Sequence, residues 1–433
     1  MFFNIRTSSL ILTFGMARKI FFPIDKSYLH FNLQCLSVLG LWNPYKRGAK
    51  FWLYQIYWAY VVNVIMAMRL INIIVLLINA PNSTLFLQQF SLLTVESANI
   101  IMYIAFFFHR TEVWELADAF NWERHLPGTE EITQYRDTVL TNLLSSSKTF
   151  TVSIGSAVIP YFIFSYYAIF EIAEYKLERL PIGVAPMKYS LVSYNFWVAF
   201  ICDYWTFTQL ALTAVIQNAF IMAVMMNVKA QLKILSFRLQ RCHIRNYEIN
   251  NGATDEHPGV IHFECVERQI DEKSRSLDPN KELINCIKFH QEIVRIFRIF
   301  KEIYNQALLP QLFIMLLLIT VLLLQMVLGK EGNHADAIVA LEFLIPVMLQ
   351  LLTLCWGGNI SLVESDKLSN SLYEARWYDV DREFRSNVKI FLGAVKDPLI
   401  IRAGGICDLT AVTFKNILSK AYSGVAVLNN MSQ

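Results

Sequence analysis

The last apolar stretch of the chain, residues 404–428, carries polar and ionisable side chains. Asp408, Lys415, Asn416 and Lys420 lie in a run that is long enough to cross a bilayer as a helix. Because an ionisable residue inside a membrane segment usually faces protein or water, we predict that this helix lies among other helices or along an aqueous path. Snorkelling toward the membrane surface is the alternative, and it explains Asp408 better than the two lysines.

Other residues that commonly do chemistry are not arranged for it. The seven cysteines are scattered, with no CxxC pair and no clustered histidine. A net charge of +3 is too small to indicate nucleic-acid binding, and no basic block alternates with stacking aromatic residues. We therefore predict free thiols, no metal site, no cofactor, no nucleic-acid partner and no enzymatic activity.

The composition is typical of a membrane protein. Of the 433 residues, 55% are apolar and 17% are charged, which is more apolar and less charged than a soluble domain. Seven apolar segments are candidate transmembrane helices. They lie at residues 51–78, 86–108, 149–170, 197–228, 307–328, 337–363 and 404–428. The sequence therefore predicts an all-α, polytopic membrane protein with seven transmembrane helices.

The distribution of Lys and Arg between these spans predicts their orientation. Of the 38 Lys and Arg residues, 31 lie before span one or in the loops after spans two, four and six, and 4 lie on the opposite side. Because cytoplasmic loops carry the excess of positive charge, we predict a cytoplasmic amino terminus and an extracellular carboxyl terminus. Residues 1–50 then form a cytoplasmic arm, and residues 429–433 form an extracellular tail.

This topology disfavours two rival classes. A G-protein-coupled receptor has an extracellular amino terminus, and neither its Asp-Arg-Tyr after span three nor its Asn-Pro-x-x-Tyr in span seven is present. Many transporters are built from internal repeats with matched broken helices, and the sequence shows neither feature.

The predicted cytoplasmic segments contain amphipathic stretches. In residues 282–309, Ile287, Val294, Phe297 and Ile303 recur among basic residues, which predicts a helix that runs into span five. Further helices are predicted at 111–122 and 371–385, and with 282–309 they could build a soluble platform beneath the membrane. The predicted cytoplasmic anchor regions are 229–306 and 364–403, and residues 246–280 are predicted to be disordered. On the outer side, Asn82 begins an Asn-Ser-Thr sequon and is the candidate glycosylation site.

Several ordered landmarks near the carboxyl end carry a family resemblance. Residues 354–359 are Leu-Cys-Trp-Gly-Gly-Asn, and residues 371–378 are Ser-Leu-Tyr-Glu-Ala-Arg-Trp-Tyr. Span seven contains Phe414, then Ala-Tyr-Ser at 421–423 and Ala-Val-Leu at 426–428. With its length and topology, the chain resembles an insect odorant receptor. It resembles a ligand-tuned subunit, since the family's co-receptor has a longer second inside loop.

The resemblance implies an odorant-gated cation channel of four subunits around one pore, in the plasma membrane of sensory neurons. Its implied partners are the olfactory co-receptor, a small volatile odorant and membrane lipid. Gustatory receptors usually have a Thr-Tyr in this span and end in Gln-Phe, and this chain departs from both features. A gustatory-type channel, or a receptor that signals through another cytoplasmic partner, remains the alternative.

A small, mostly apolar ligand suits the outer halves of spans two, three and four, where aromatic residues occur with few hydroxyls. These stripes have helical spacing, which plain helix packing also produces. The candidate ligand-binding residues are Phe86, Phe90 and Leu93 in span two, Tyr161, Phe164 and Ser165 in span three, and Trp197, Ile201, Tyr204 and Thr208 in span four.

Two opposite charges lie at similar predicted depths in neighbouring spans. Arg69 in span one and Glu96 in span two would both lie roughly 14 Å below the outer surface at the helical rise. Because either charge alone in hydrocarbon is costly, we predict an intramembrane ion pair. Placement of Glu96 in the ligand cavity is the alternative.

The predicted helix of span seven offers two faces for a pore. At about 100° per residue, Asp408, Lys415 and Ser419 share a wet face, and Leu418, Val425 and Asn429 share a nearly dry face, with Tyr422 between them. A ring of apolar side chains can exclude ions by dewetting. The resemblance implies a constriction shortly after Tyr422, at Val425 and its neighbours Leu428 and Asn429. Packing of Val425 against another span is the alternative.

Overall fold

The computed structural model describes residues 28–45, 48–61, 67–78, 80, 83–120, 130–156, 196–242, 279–332, 334–375 and 377–432. This part of the chain forms eleven α-helices, a 3₁₀ turn at Trp377–Asp379 and one antiparallel hairpin. The helices are α1 His30–Val38, α2 Ala49–Ala59, α3 Ala67–Ile78, α4 Ser83–Phe108, α5 Arg110–Ala119, α6 Glu130–Ser156, α7 Phe196–Arg241, α8 Pro279–Gly332, α9 His334–Glu374, α10 Arg382–Val395 and α11 Ala411–Ser432. The hairpin strands are β1 Arg402–Ala403 and β2 Cys407–Asp408. The predicted all-α class is confirmed.

Within the described ranges, four helices are long and apolar enough to cross a bilayer, and they match predicted spans two, four, five and six. These segments are Phe86–Phe108 in α4, Thr208–Arg241 in α7, Pro279–Val327 in α8 and Phe343–Glu374 in α9. Of predicted span one, the structure describes α2 and α3, and residues 62–66 lie outside the described ranges. Span three is described only as far as the end of α6 at Ser156.

Three long helices form the centre of the fold. Helices α7, α8 and α9 contain 46, 54 and 41 residues, whereas a bilayer crossing needs about 20. They pack against one another, and α8 also contacts α4, α5, α10 and α11. Where α4, α7 and α8 meet, the centroid of the Phe106 ring lies 5.5 Å from that of Phe220 and 5.8 Å from that of Tyr304. Burial of these large aromatic side chains fixes the three helices together.

The predicted cytoplasmic helices are only partly correct. The helix at 282–309 is confirmed as part of α8, with Phe297 and Ile303 buried, and the helix at 111–122 is confirmed as α5, with shorter bounds. The single helix at 371–385 is wrong, because α9 ends within it and α10 begins within it. Asp381 accepts a hydrogen bond from the backbone nitrogen of Phe384 at 3.3 Å, and this amino-terminal cap makes α10 a separate helix.

Residues 28–45 of the predicted amino-terminal arm pack into the fold. Leu29 and Leu36 are fully buried. The side-chain amide of Asn32 donates to the hydroxyl of Thr151 at 2.9 Å, and Ser147 donates to the carbonyl oxygen of the same amide at 3.3 Å. These bonds join α1 to α6. Asn82 and residues 246–278 of the segment predicted to be disordered lie outside the described ranges.

Candidate functional site

A hairpin, and not a helix, opens the last predicted span. Strands β1 and β2 pair around a turn at Gly404 and Gly405, whose φ angles are 59° and 72°. Glycine adopts positive φ far more readily than residues with a Cβ, so the glycine pair favours a turn at this point. The predicted helix start at Gly404 is therefore wrong, and α11 begins at Ala411.

Asp408 consequently lies on β2 and not on a helical face with Lys415 and Ser419. Its Oδ1 accepts a hydrogen bond from Arg402 Nε at 3.0 Å, in an exposed ion pair. Its backbone carbonyl accepts a hydrogen bond from the hydroxyl of Thr413, in the first turn of α11. The prediction of a shared face is wrong for Asp408, which instead connects the hairpin to the start of α11.

The hairpin is held tightly between α8 and α9. The backbone nitrogen of Gly404 donates to the carbonyl of Asn305 on α8 at 2.9 Å, and a Cβ at Gly404 would lie 2.6 Å from Leu309 Cδ2. On the α9 side, a Cβ at Gly358 would lie 2.2 Å from the carbonyl oxygen of Leu409. These close approaches fix where α11 begins. Sequence reasoning missed them, although the two glycine pairs at 357–358 and 404–405 were a visible signal.

One stripe of α11 packs against the rest of the chain. The buried residues recur every four positions, which is one side of a helix: Thr413, Ile417, Ala421 and Val425. This helix contacts α8 and α9, and Gly424 lies close to the side chain of Thr320 on α8. Val425 is 8% exposed, which matches the alternative in which it packs against another span of the same chain.

The remainder of α11 is open in the single chain. Tyr422 is 74% exposed, and Leu418 is half-buried against the core. The side chains of Leu428 and Asn429 lie outside the description. Between residues 415 and 423 the exposed side is mostly polar, whereas Val412 and Val427 are exposed near the two ends of the helix. The polar residues are Lys415, Asn416, Ser419, Lys420 and Ser423. The two lysines disfavour contact of this middle part with lipid alone.

The structure describes some of the predicted ligand-binding residues. Phe86 and Phe90 stack on α4 with ring centroids 6.3 Å apart, and Leu93 on the same helix is half-buried. Helix α7 carries half-buried Thr208, while the side chains of Trp197, Ile201 and Tyr204 are not described. Helices α4 and α7 are joined by a hydrogen bond from Asn99 Nδ2 to the carbonyl of Leu210 at 3.3 Å. Tyr161, Phe164 and Ser165 lie outside the described ranges.

The structure describes the side chain of one member of the predicted intramembrane ion pair. Glu96 on α4 is 0% exposed, and α3, which carries Arg69, packs against α4. The side chain of Arg69 is not described, so the pair stays a prediction.

Titratable residues in the described part of the chain do not form a metal centre. Within it there is no cluster of three or more His, Cys, Asp or Glu side chains. Cys35, Cys242, Cys286, Cys355 and Cys407 are free. The thiols of Cys242 and Cys286 lie 3.8 Å apart between α7 and α8, and this contact and burial hold the pKa of Cys242 well above its usual value.

These helices define a polytopic, all-α membrane protein with a polar terminal helix. The family model for 7tm odorant receptors matches residues 82–422. The chain therefore belongs to the odorant receptor family, and the resemblance seen in the sequence is confirmed.

The curated relatives are distant. Odorant receptor 42b of Drosophila melanogaster is 22% identical over 162 residues, which is 37% of this chain and 40% of the relative. Odorant receptor 33a of the same fly is 25% identical over 153 residues, covering 35% and 40%. Odorant receptor Or2 of Anopheles gambiae is 20% identical over 150 residues, covering 35% and 39%. The matched regions span about two fifths of the length of these relatives.

Solved structures share the fold over nearly the whole chain. The insect olfactory receptor OR5 from Machilis hrabei, in complex with eugenol, superposes with a TM-score of 0.70 at 13% identity. The match covers 93% of this chain and 98% of that receptor. A second structure of the same receptor gives a TM-score of 0.69. At 13% identity, the superposition shows a shared fold alone.

Proposed function

We propose that this chain is the odorant-tuned subunit of an odorant-gated cation channel. It would act with the olfactory co-receptor in the plasma membrane of sensory neurons and detect small volatile molecules. Support comes from its family, from relatives named as odorant receptors, and from the fold shared with a receptor solved in complex with eugenol.

The observation that carries the proposal is the uncovered polar side of α11. In a lone chain, Lys415 and Lys420 would meet lipid, which costs on the order of several kcal/mol for each charge. In an assembly around an aqueous path, neighbouring subunits and water cover this side instead. The resemblance implies four subunits, so each would contribute one α11.

The pore is proposed at the carboxyl half of α11, with Leu418, Tyr422, Val425, Leu428 and Asn429. An apolar constriction there would exclude ions by dewetting when closed. In the single chain, Tyr422 exposes far more of its surface than Val425 does. Substitution of Tyr422 therefore tests for a pore on the exposed side of α11, and substitution of Val425 tests for one on the stripe that packs against α8 and α9.

Cysteine substitution in the co-expressed complex tests this arrangement. An extracellular thiol reagent should block the odorant-evoked current of Tyr422→Cys or Val425→Cys if that side chain lines the pore. The wild type is the control for reaction of the reagent with half-buried Cys407. Block at Tyr422→Cys alone would assign Val425 to packing. Block at Lys415→Cys instead would move the pore to the wet face. Equal odorant responses without the co-receptor would contradict the heteromeric channel.

The proposed ligand pocket has a separate test. The triple variant Phe90→Ala, Tyr161→Ala, Tyr204→Ala should change the rank order of effective odorants while surface expression is retained. Substitution of exposed Trp205 by Ala on the same turn of α7 as Tyr204 provides the matched control. An unchanged odour tuning of the triple variant would rule out this pocket.

A further inference from the structure

A cavity opens at the junction between the predicted cytoplasmic platform and the membrane. It has a volume of about 700 Å³ and lies between α8 and the segment 397–402, which leads into the hairpin. Asn305, one of its lining residues, lies two residues before the predicted start of span five at 307. The upper end of the cavity therefore lies at the predicted inner border of the bilayer.

Three basic side chains line this cavity. Arg298 is exposed, and Lys301 is half-buried with its ammonium 6.0 Å from the ring centroid of Phe297. Within the described ranges, neither Arg298 nor Lys301 makes an ion pair. Arg402 is oriented by the bond from its Nε to Asp408. Guanidinium and ammonium groups in this arrangement suit a phosphate, which accepts charge-assisted hydrogen bonds from both.

Two carboxylates share the same cavity. Glu302 lies next to Lys301 on α8, and Asp397 lies on the opposite wall; both are exposed. A purely anionic ligand would meet repulsion from them, whereas a ligand with one phosphate and one ammonium group would satisfy both kinds of charge. A primary ammonium can also donate hydrogen bonds to carboxylates, which a quaternary ammonium lacks.

Apolar side chains complete the lining and indicate the source of such a ligand. Phe297, Leu399 and Ile400 lie beside the charged groups. Together with the position at the membrane border, they favour an amphiphile over a free solute. We propose that this cavity binds the headgroup of an inner-leaflet phosphatidylethanolamine, with the phosphate on Arg298, Lys301 and Arg402 and the ammonium on Glu302 and Asp397.

The bound headgroup would link two elements that already meet at the hairpin. Its phosphate would bridge α8, through Arg298 and Lys301, to Arg402 on β1. This bridge would add to the bond between Gly404 and Asn305. Lipid binding should therefore stabilise the hairpin on α8, whichever odorant the chain recognises.

The first experiment measures which lipid binds to the detergent-purified full-length chain. Short-chain phosphatidylethanolamine, phosphatidylcholine, phosphatidylglycerol and soluble phosphoethanolamine are titrated while the thermal unfolding midpoint is followed. We expect phosphatidylethanolamine to bind at least about tenfold more tightly than the other three, because phosphatidylcholine and phosphatidylglycerol lack the primary ammonium and phosphoethanolamine lacks the apolar chains. Equal binding of phosphoethanolamine would assign the site to a free solute, and equal binding of phosphatidylglycerol would exclude the zwitterion.

Charge-neutralising variants test which residues bind the phosphate and which bind the ammonium of the headgroup. Arg298→Gln with Lys301→Gln should weaken phosphatidylethanolamine binding about tenfold. Lys281→Gln with Lys389→Gln removes the same charge from exposed positions outside the cavity and should leave binding unchanged.

A variant with both carboxylates neutralised distinguishes a change in lipid recognition from a folding defect. Glu302→Gln with Asp397→Asn should reverse the preference, so that phosphatidylglycerol binds more tightly than phosphatidylethanolamine. A reversal requires a folded cavity, so it cannot arise from unfolding. Retention of the original preference in this variant would overturn the proposal.

Discussion

Substitution of Gly358 by alanine is the sharpest test of how α11 is positioned. The added Cβ would lie 2.2 Å from the carbonyl oxygen of Leu409 and 2.7 Å from its Cβ, whereas ordinary contacts begin at 3.4 Å. Because the nearest atom belongs to the backbone, α9 and the start of α11 must separate by about 1 Å. Overpacking of this kind costs about 1–3 kcal/mol.

The assay compares thermal unfolding and the yield of assembled complex in detergent. We expect Gly358→Ala to lower the unfolding midpoint by about 1–3 °C and to reduce assembly. Gly393→Ala is the matched control, since a Cβ at that helical position has no atom within 4 Å. It should be neutral or stabilise α10 by up to about 1 kcal/mol.

A second-site variant tests whether atoms beyond the Cβ of Leu409 cause the clash. Leu409→Ala keeps both the carbonyl oxygen and the Cβ, which are the atoms in close approach, so it should not rescue Gly358→Ala. Rescue would assign the clash to the outer part of the Leu409 side chain and refute the argument from the backbone. Wild-type stability and assembly of Gly358→Ala itself would show that α9 and the hairpin are not closely apposed.

Three further predictions concern charged and titratable groups. Arg238 pairs with Glu282 at 2.7 Å in a buried site. Glu282→Gln should lower the free energy of unfolding by about 3–5 kcal/mol, because it leaves a buried charge without its partner. Arg238→Met with Glu282→Leu removes both charges and should lower it by less. Burial lowers the pKa of His290 to about 4. Its contribution to stability is therefore complete above about pH 6.5 and is lost as the pH falls toward 4, by about 2 kcal/mol at pH 5, and His290→Gln should remove this part of the pH dependence. Arg69→Ala should abolish surface expression, and Arg69→Glu with Glu96→Arg should restore some of it; a swap no better than the single change would count against the ion pair.

The long apolar helices were predictable because their signal is local. A run of about 20 apolar residues has few alternatives to a membrane helix, so hydropathy alone predicts the membrane spans within α4, α7, α8 and α9. Hydropathy did not reveal the hairpin, because Ile406, Cys407 and Leu409 keep the average hydropathy high across it. A conformational signal, the pair Gly404 and Gly405, marked the true boundary.

The faces of α11 show the limit of periodicity. Helical spacing groups Thr413 with Ile417 and Ala421, but it does not say which side of the helix meets the rest of the chain. Val425 is buried and Tyr422 is open because of the positions of α8 and α9, which are tertiary information. The ligand pocket is harder still, since its candidate residues come from three separate helices.

The unbroken course of α8 has a mechanical consequence. At about 1.5 Å per residue, its 54 residues measure about 80 Å. A tilt of about 5° around its midpoint would move each end by about 3.5 Å in opposite directions. Asn305 and Leu309, near that midpoint, touch the hairpin that starts α11, so the fulcrum of this lever lies beside the terminal helix. Pro310 lies in α8 directly beside this contact and lacks the N–H of a helical hydrogen bond, so bending of α8 would concentrate next to the hairpin that starts α11.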